Sequence, residues 1–311
     1  MIAAAGSLSA ANLQVTESEE AIVVTRGEIP VLKYHKAEVN PPEGADPVFK
    51  RSGFIHPLCA PSGEPVTGIH PKDHYHHLGL WHAWVKTEHG EDKPDFWNLK
   101  TKTGRVRYAK TITILKANAE DPSVGFVVEQ EHVAYKGSDK KVTVVLRELL
   151  QVKVEFKGGE NVVSYSLEQE NVSRETLVLP AYRYGGGLAY RAPHDWDKTN
   201  SDYLTSKGLN RNNSHQSRAE WVAMSGPTRK GEATMTVMIA PSNHDFPQRL
   251  RTWPASSNNG AIFFNVVPTQ EKPWEIKPGE KIMMAYLITV ADGKPDKEKI
   301  EQRWKVFAGE K

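Results

Sequence analysis

The chain has 311 residues, 39% of them hydrophobic and 25% charged, a balance typical of globular proteins and enough for a large core. Its 40 basic and 38 acidic residues are interspersed, with a net charge of +2, so no basic face for a nucleic-acid backbone stands out. A single cysteine, Cys59, excludes an intrachain disulfide and a cysteine-built zinc site, and no apolar run approaches the roughly 18 residues that a membrane-spanning helix needs.

Residues 1–15, "MIAAAGSLSAANLQV", are alanine-rich and contain a small-residue "SAA". They read as the remnant of an export signal, although a basic start and a full apolar core are missing. That reading puts the protein in the periplasm or outside the cell; without it the chain is cytoplasmic. Residues 16–311 read as one domain. Strand-like segments rich in valine, threonine and tyrosine recur at 20–26, 29–35, 104–117, 123–135, 141–156, 161–171, 233–241, 260–268 and 280–290. Glycine and proline mark turns between them, as in "KGGEN" at 157–161 and "KPGEK" at 277–281. Near the end, "KPDKEKIEQRWKVFA" sets Ile300, Trp304 and Phe307 at helical spacing behind a proline–aspartate start. The expected fold is an all-β antiparallel sandwich with a C-terminal helix.

The stretch "PKDHYHHLGLWHAW", residues 71–84, concentrates four of the twelve histidines and two tryptophans. On one continuous strand His74 and His82 would stand about 26 Å apart, too far to share an ion. Pro71 and Gly79 instead predict a loop through His77 and then a strand from about Leu80, on which His82 and Trp84 share a face. His74, His76 and His77 are then neighbours beside Asp73. They are the candidate catalytic groups, because imidazole titrates near neutrality; equally, they could ligate a divalent metal. Trp81, Trp84 and Trp97 could stack on a sugar ring, with His82 beside them. Against this stands the plain alternative of a polar loop packed on a tryptophan core.

Further along, "AYRYGGGLAYR" at 181–191 flanks three glycines with Arg183 and Arg191. It is either a substrate-lining loop or a tight β corner, and it lacks the lysine and hydroxyl residue of a phosphate loop. Glu129 with Glu131, and Glu168 with Glu170, alternate onto one strand face, where a solvated surface is the simpler explanation than acid–base work. Asn243 and His244, in "SNHDFP", are further candidates for lining a ligand.

The ordered strings "FIHPLCAPSGEPVT", "HPKDHYHHLGLWHAW", "DFWNL", "YRYGGGLAYR", "SNHDFP" and "PGEKIMMAYLITVADG" resemble the bacterial PmoA-like family over roughly residues 30 to 307. The resemblance implies an antiparallel β-supersandwich similar to galactose mutarotase. The methane oxygenase label attached to that family belongs to a membrane copper enzyme, whose apolar spans this chain lacks, so that activity is not expected. The family's histidine motif is matched by Asp73, His74, His76, His77, Gly79 and Trp81. Leu78 departs from it, where many relatives carry a basic residue. Tyr184, Gly185, Gly186 and Arg191 match the glycine-rich motif, and Pro241, Asn243 and Pro247 the later one. The functional expectation is a carbohydrate-active enzyme of epimerase, lyase or hydrolase type, acting on a small carbohydrate or glycan; the alternative is a non-catalytic carbohydrate-binding protein. Two geometric expectations follow: Trp81 or Trp84 borders a concave surface, and the histidines converge with Arg183 or Arg191.

Overall fold

The computed structural model describes residues 12–136 and 141–310. Most of the stretch read as an export signal, residues 1–11, lies outside the described residues, whereas residues 13–15 already belong to a strand. In chain order the strands are β1 (Leu13–Glu17), β2 (Ala21–Arg26), β3 (Ile29–His35), β4 (Phe54–Leu58), β5 (Leu80–Ala83), β6 (Glu88–His89), β7 (Gly104–Leu115), β8 (Val124–Lys136), β9 (Lys141–Lys157) and β10 (Glu160–Asn171). They continue as β11 (Leu177–Leu179), β12 (Gly187–Arg191), β13 (Asp202–Thr205), β14 (Trp221–Thr228), β15 (Gly231–Ile239), β16 (Arg249–Thr252), β17 (Phe263–Val267), β18 (Trp274–Ile276) and β19 (Lys281–Asp292), followed by the helix α1 (Lys297–Ala308). Among the described residues they form an eight-stranded sheet β1-β2-β3-β4-β5-β12-β17-β16, a second eight-stranded sheet β13-β14-β15-β19-β10-β9-β8-β7, and a small sheet β18-β11-β6. Adjacent strands pair antiparallel. The fold is an all-β antiparallel sandwich with one C-terminal helix.

The local reasons are visible strand by strand. In β10, buried Val163, Tyr165, Leu167 and Gln169 alternate with part-exposed Ser164, Ser166, Glu168 and Glu170, as a strand with one inner face requires. The β9–β10 hairpin closes over Gly158 and Gly159, both at positive φ (64° and 79°), which a two-residue turn matched to the strand twist demands. Glu131 pairs with Arg107, Glu129 with Lys110 and Arg147, and Glu168 with Lys281, so these carboxylates belong to an ion-paired outer face. Helix α1 starts at Asp296, whose side chain accepts from the Lys299 amide, and ends at Gly309 in the left-handed region. Its Ile300 and Trp304 are buried against Trp221 and Met238, which covers part of the second sheet.

Cross-strand register decides what each side of the first sheet carries. Trp81 lies opposite Ala189, Ala189 opposite Asn265 and Asn265 opposite Arg251, while Arg191 lies opposite Phe263. These residues share the outer face, away from the second sheet. His82, opposite Leu188, shares the inner face with Tyr190 and Phe264. Both faces are covered, so β5 is buried at all four positions.

Candidate functional site

The histidine loop is a compact pair of turns resting on the outer face of the first sheet. The His74 amide donates to the Pro71 carbonyl, the His77 amide to that of His74, and the His70 amide to that of His77, each at 2.9 Å. Gly79 ends the loop at φ +69°; a Cβ there would lie 2.5 Å from the Ile55 carbonyl oxygen, so glycine is needed where the chain turns into β5. As the spacing predicted, residues through His77 form a loop, a strand begins at Leu80, and His82 and Trp84 point to the same side.

The side chains of the loop stack in layers. His77 lies face to face on Phe263 (4.6 Å between ring centroids, 14°) and His74 on His77 (4.7 Å, 18°). His76 stands edge-on to His77 at 4.8 Å, and Trp253 leans against both His74 and His77. Trp81 and Trp97, 5.0 Å apart, lie beneath. Two guanidiniums flank the stack: Arg191 lies 5.2 Å from the Trp253 ring and Arg251 lies 5.1 Å from that of Phe263. The Asp73 carboxylate is 3.0 Å from His74 Nδ1 and 4.0 Å from Arg191 Nη2.

Two depressions share Lys72 and Asp73 on their borders. One, of about 790 Å³, is bordered by His74, Tyr75, His76, Phe49 and Asn98. The other, of about 580 Å³, is bordered by Arg191, His194, Trp196 and Asn259. Burial sets the electrostatics. It pushes the His76 imidazole down to about 3 and that of His77 well below the usual histidine range, with neighbouring cations adding to the effect. Burial lowers His74 too, against the opposing pull of Asp73. At neutral pH the site therefore presents neutral imidazoles between cationic arginines.

Not every residue expected at a site is found there. His74 and His76 border the larger depression and Arg191 the smaller, while His77 is buried beneath His74. The expectation for the tryptophans is corrected: Trp81, Trp84 and Trp97 are buried and cannot stack on a sugar. Trp81 is the floor under His77, and Trp84 turns into the sandwich, donating to Gln169 Oε1 at 2.8 Å. His82 is also corrected, since it is buried between the sheets. Arg183 is exposed, stacked on one side of Tyr184 with Arg251 also against that ring, and so lies next to the site without bordering either depression. Asn243 is spent on structure: its amide donates to the Ala285 carbonyl and accepts from the Ala285 amide. His244 stacks on Trp274 at 4.0 Å. Neither borders the two depressions. The glycine run is a packing device, because a Cβ on Gly186 would lie 2.5 Å from the Ala83 carbonyl oxygen and 2.7 Å from Trp84 Cα.

Sequence reading also missed a polar network inside the sandwich. Gln130, Glu148 and Gln169 sit directly opposite one another on β8, β9 and β10, facing inward. Gln130 Nε2 donates to Glu148 Oε1 at 2.6 Å, Gln169 Nε2 to Glu148 Oε2 at 2.5 Å, and His132 Nε2 lies 3.1 Å from Oε2. His82 Nδ1 is 3.4 Å from the same oxygen. Burial works to raise the Glu148 pKa, but the bonds from His132 and His82 prevail and hold it below the usual carboxylate range. Among the described residues, His82, His132 and Glu148 bring their ligand atoms within 4.8 Å of one another, the arrangement a divalent ion would use. Gln169, however, is oriented by Trp84 so that its NH2 group faces Glu148 Oε2, His82 Nδ1 and His132 Nε2 together. A donor group there fits a hydrogen-bonded network and not a cation. In the loop, the stacked rings of His74 and His77 direct their lone pairs in parallel planes, not to one point.

The family described as a family of unknown function, DUF6807, matches residues 21–305. The chain belongs to that family. The match spans the motifs that resembled the PmoA-like family and does not support that label. No curated protein sequence matches the chain. Among solved structures the chain is similar to a galactose mutarotase-like protein from Lactobacillus casei ATCC 334, with 10% identity and a TM-score of 0.40, over 89% of this chain and 99% of that one. It is similar to a galactose mutarotase related enzyme from Lactobacillus acidophilus, with 9% identity and a TM-score of 0.37, over 91% and 99%. The GH36 α-galactosidase AgaA from Geobacillus stearothermophilus matches at 10% identity and a TM-score of 0.38 over 90% of this chain, which spans only 40% of that enzyme. No helix among the described residues is long and apolar enough to cross a membrane.

Proposed function

We propose that the chain is a carbohydrate-active enzyme whose substrate lies against the histidine loop, with the Asp73–His74 pair moving a proton on it. The observation that carries this reading is the pair itself, a carboxylate 3.0 Å from Nδ1 of a part-exposed imidazole at the edge of a large depression. The contact is at ion-pair distance but outside hydrogen-bond geometry, so a small turn of either side chain is needed before the carboxylate holds the proton on Nδ1 and leaves Nε2 to accept or return another. Epimerisation, elimination and glycoside hydrolysis each need such a transfer at carbon or oxygen beside a hydroxyl. Phe49 and Tyr75, with ring centroids 5.6 Å apart, supply the apolar wall that the tryptophans do not. Export to the periplasm or beyond is part of the same proposal and is checked by cell fractionation.

A second reading, a sugar-binding protein without turnover, is favoured by the depressed His76 and His77, which do not accept protons at neutral pH. To decide, neutral and acidic mono- and disaccharides are incubated with the protein and followed by proton NMR. The enzyme reading expects turnover that His74→Gln abolishes and Asp73→Asn slows with a shifted pH profile. Binding without turnover in the unaltered protein would decide for the second reading.

A further inference from the structure

We propose that the ligand of this site carries a carboxylate, as a uronic or aldonic acid does, and that Arg191 is the residue that receives it. This inference rests on the sugar-site reading above and adds the ligand's charge. Arg191 is only 4% exposed, yet its Nε and Nη1 have no hydrogen-bond partner among the described residues. Its nearest carboxylate, Asp73, is 4.0 Å away, beyond hydrogen-bond reach, and already engages His74. The Trp253 ring beside it interacts with the charge and leaves the N–H groups unused. A buried guanidinium without acceptors is costly, and a ligand acceptor would offset that cost.

The surroundings say what kind of partner. Arg191 borders the depression of about 580 Å³ with Lys72 and Asp73, a size in the range of small-molecule sites. Arg251 makes no ion pair with a carboxylate among the described residues and lies on Phe263, in the same stack. Asp197 also borders the depression, but its Oδ1 accepts from the amide and hydroxyl of Thr199. The border charges are formally balanced, Lys72 and Arg191 against Asp73 and Asp197, so the case for a negative ligand rests on Arg191, whose Nε and Nη1 lack acceptors. Asp73, close by, disfavours a dianion such as a phosphate monoester, whereas a planar monoanion matches one guanidinium. Asp73 borders this depression and the one lined by His74, so a ligand held at Arg191 that reaches past Asp73 would bring its sugar body to His74.

The test measures binding by calorimetry of D-galacturonate and D-glucuronate against D-galactose and D-glucose, with sodium sulfate and sodium acetate as anion controls. The expected result is at least about tenfold tighter binding of an acid than of its neutral counterpart, a preference that weakens with salt and disappears in Arg191→Met. Arg191→Met should fold at least as well as the unaltered protein, because it removes an unsatisfied buried charge. Should it fail to fold, Arg191→Lys, which keeps the charge but not the planar fork, must reduce the preference by a measurable factor. Equal binding of acid and neutral sugars overturns the carboxylate inference and leaves the sugar site standing. Acetate or sulfate binding as tightly as the uronates overturns it as well, since the sugar body then contributes nothing. If none of the sugars binds, both readings fall.

Discussion

Lowering the pH from 7 to 5 should weaken the fold through His77, by an amount that follows from its surroundings. The ring is 2% exposed, pressed between Phe263 and His74, and its Nδ1 has no partner among the described residues. Burial first, then the neighbouring His76 and Arg191, push its pKa well below that of a free imidazole. The unfolded chain, with an ordinary histidine value of about 6.5, takes up a proton that the folded chain refuses, so stability is full above that value and is lost as pH falls below it. A histidine held neutral loses about 2 kcal/mol between pH 7 and pH 5, against a typical domain stability of 5–15 kcal/mol. Urea unfolding at pH 7, 6 and 5 measures the slope, and His77→Phe isolates the one residue, because a phenyl ring can occupy the same stack without titrating. The variant should match the unaltered protein near pH 7.5 and lose less stability below pH 6.5, by about 1.4 kcal/mol per pH unit. His35, His56 and His70, each pushed down to about 4 chiefly by burial, add to the slope in both proteins and cancel in the difference. Equal slopes in the two proteins would refute the reasoning.

Other outcomes can be stated briefly. Glu148→Gln places an amide where the carboxylate accepts from Gln130, Gln169 and His132, and should cost about 3–5 kcal/mol in urea unfolding; a loss below about 1 kcal/mol would mean the network is dispensable. Treatment with EDTA should leave the melting temperature unchanged, because the Gln169 amide already bridges the His82, His132 and Glu148 group; a fall, with stoichiometric metal by mass spectrometry, would put a cation there. Gly186→Ala adds a Cβ to a residue at φ +93° against the backbone of Ala83 and Trp84 and should cost more than about 2 kcal/mol. A melting temperature within a degree of the unaltered protein would show that the corner has room to move.

The long strands β7 to β10 and the helix were legible because period and end signals agree there. Short β12 was hidden by its glycines, and β14 by the Gly226–Pro227 pair inside it. The site was half legible. The loop and Arg191 stand out as polar groups beside glycine, but Arg251 and Trp253 sit in "RLRTWP", which shows no period long enough to read. The tryptophans were misplaced for a definite reason: alternation puts Trp81 of β5 and Trp84 just beyond it on opposite faces, but it does not reveal that both faces are covered. In "FVVEQEHV" the carboxylates of Glu129 and Glu131 face outward. The informative residues were the inward Gln130 and His132, because a polar group on the apolar face of a strand needs partners.

Strand β5 connects the two polar regions. Its Trp81 projects outward under His77, and the next residue, His82, projects inward to Gln169 and Glu148. A slip of one residue would drive the indole toward the buried carboxylate and the imidazole under the loop, exchanging every partner at once. Apolar packing alone discriminates weakly against that slip, since β5 is short and buried on both sides, whereas a hydrogen-bonded histidine can satisfy Gln169 in one register only. The inner network thus bears on the site although no ligand reaches it: by fixing β5 it fixes where the loop begins, and with it the separation between His74 and Arg191. The polar residues between the sheets thus serve position, and under the proposed function those of the loop outside would serve chemistry.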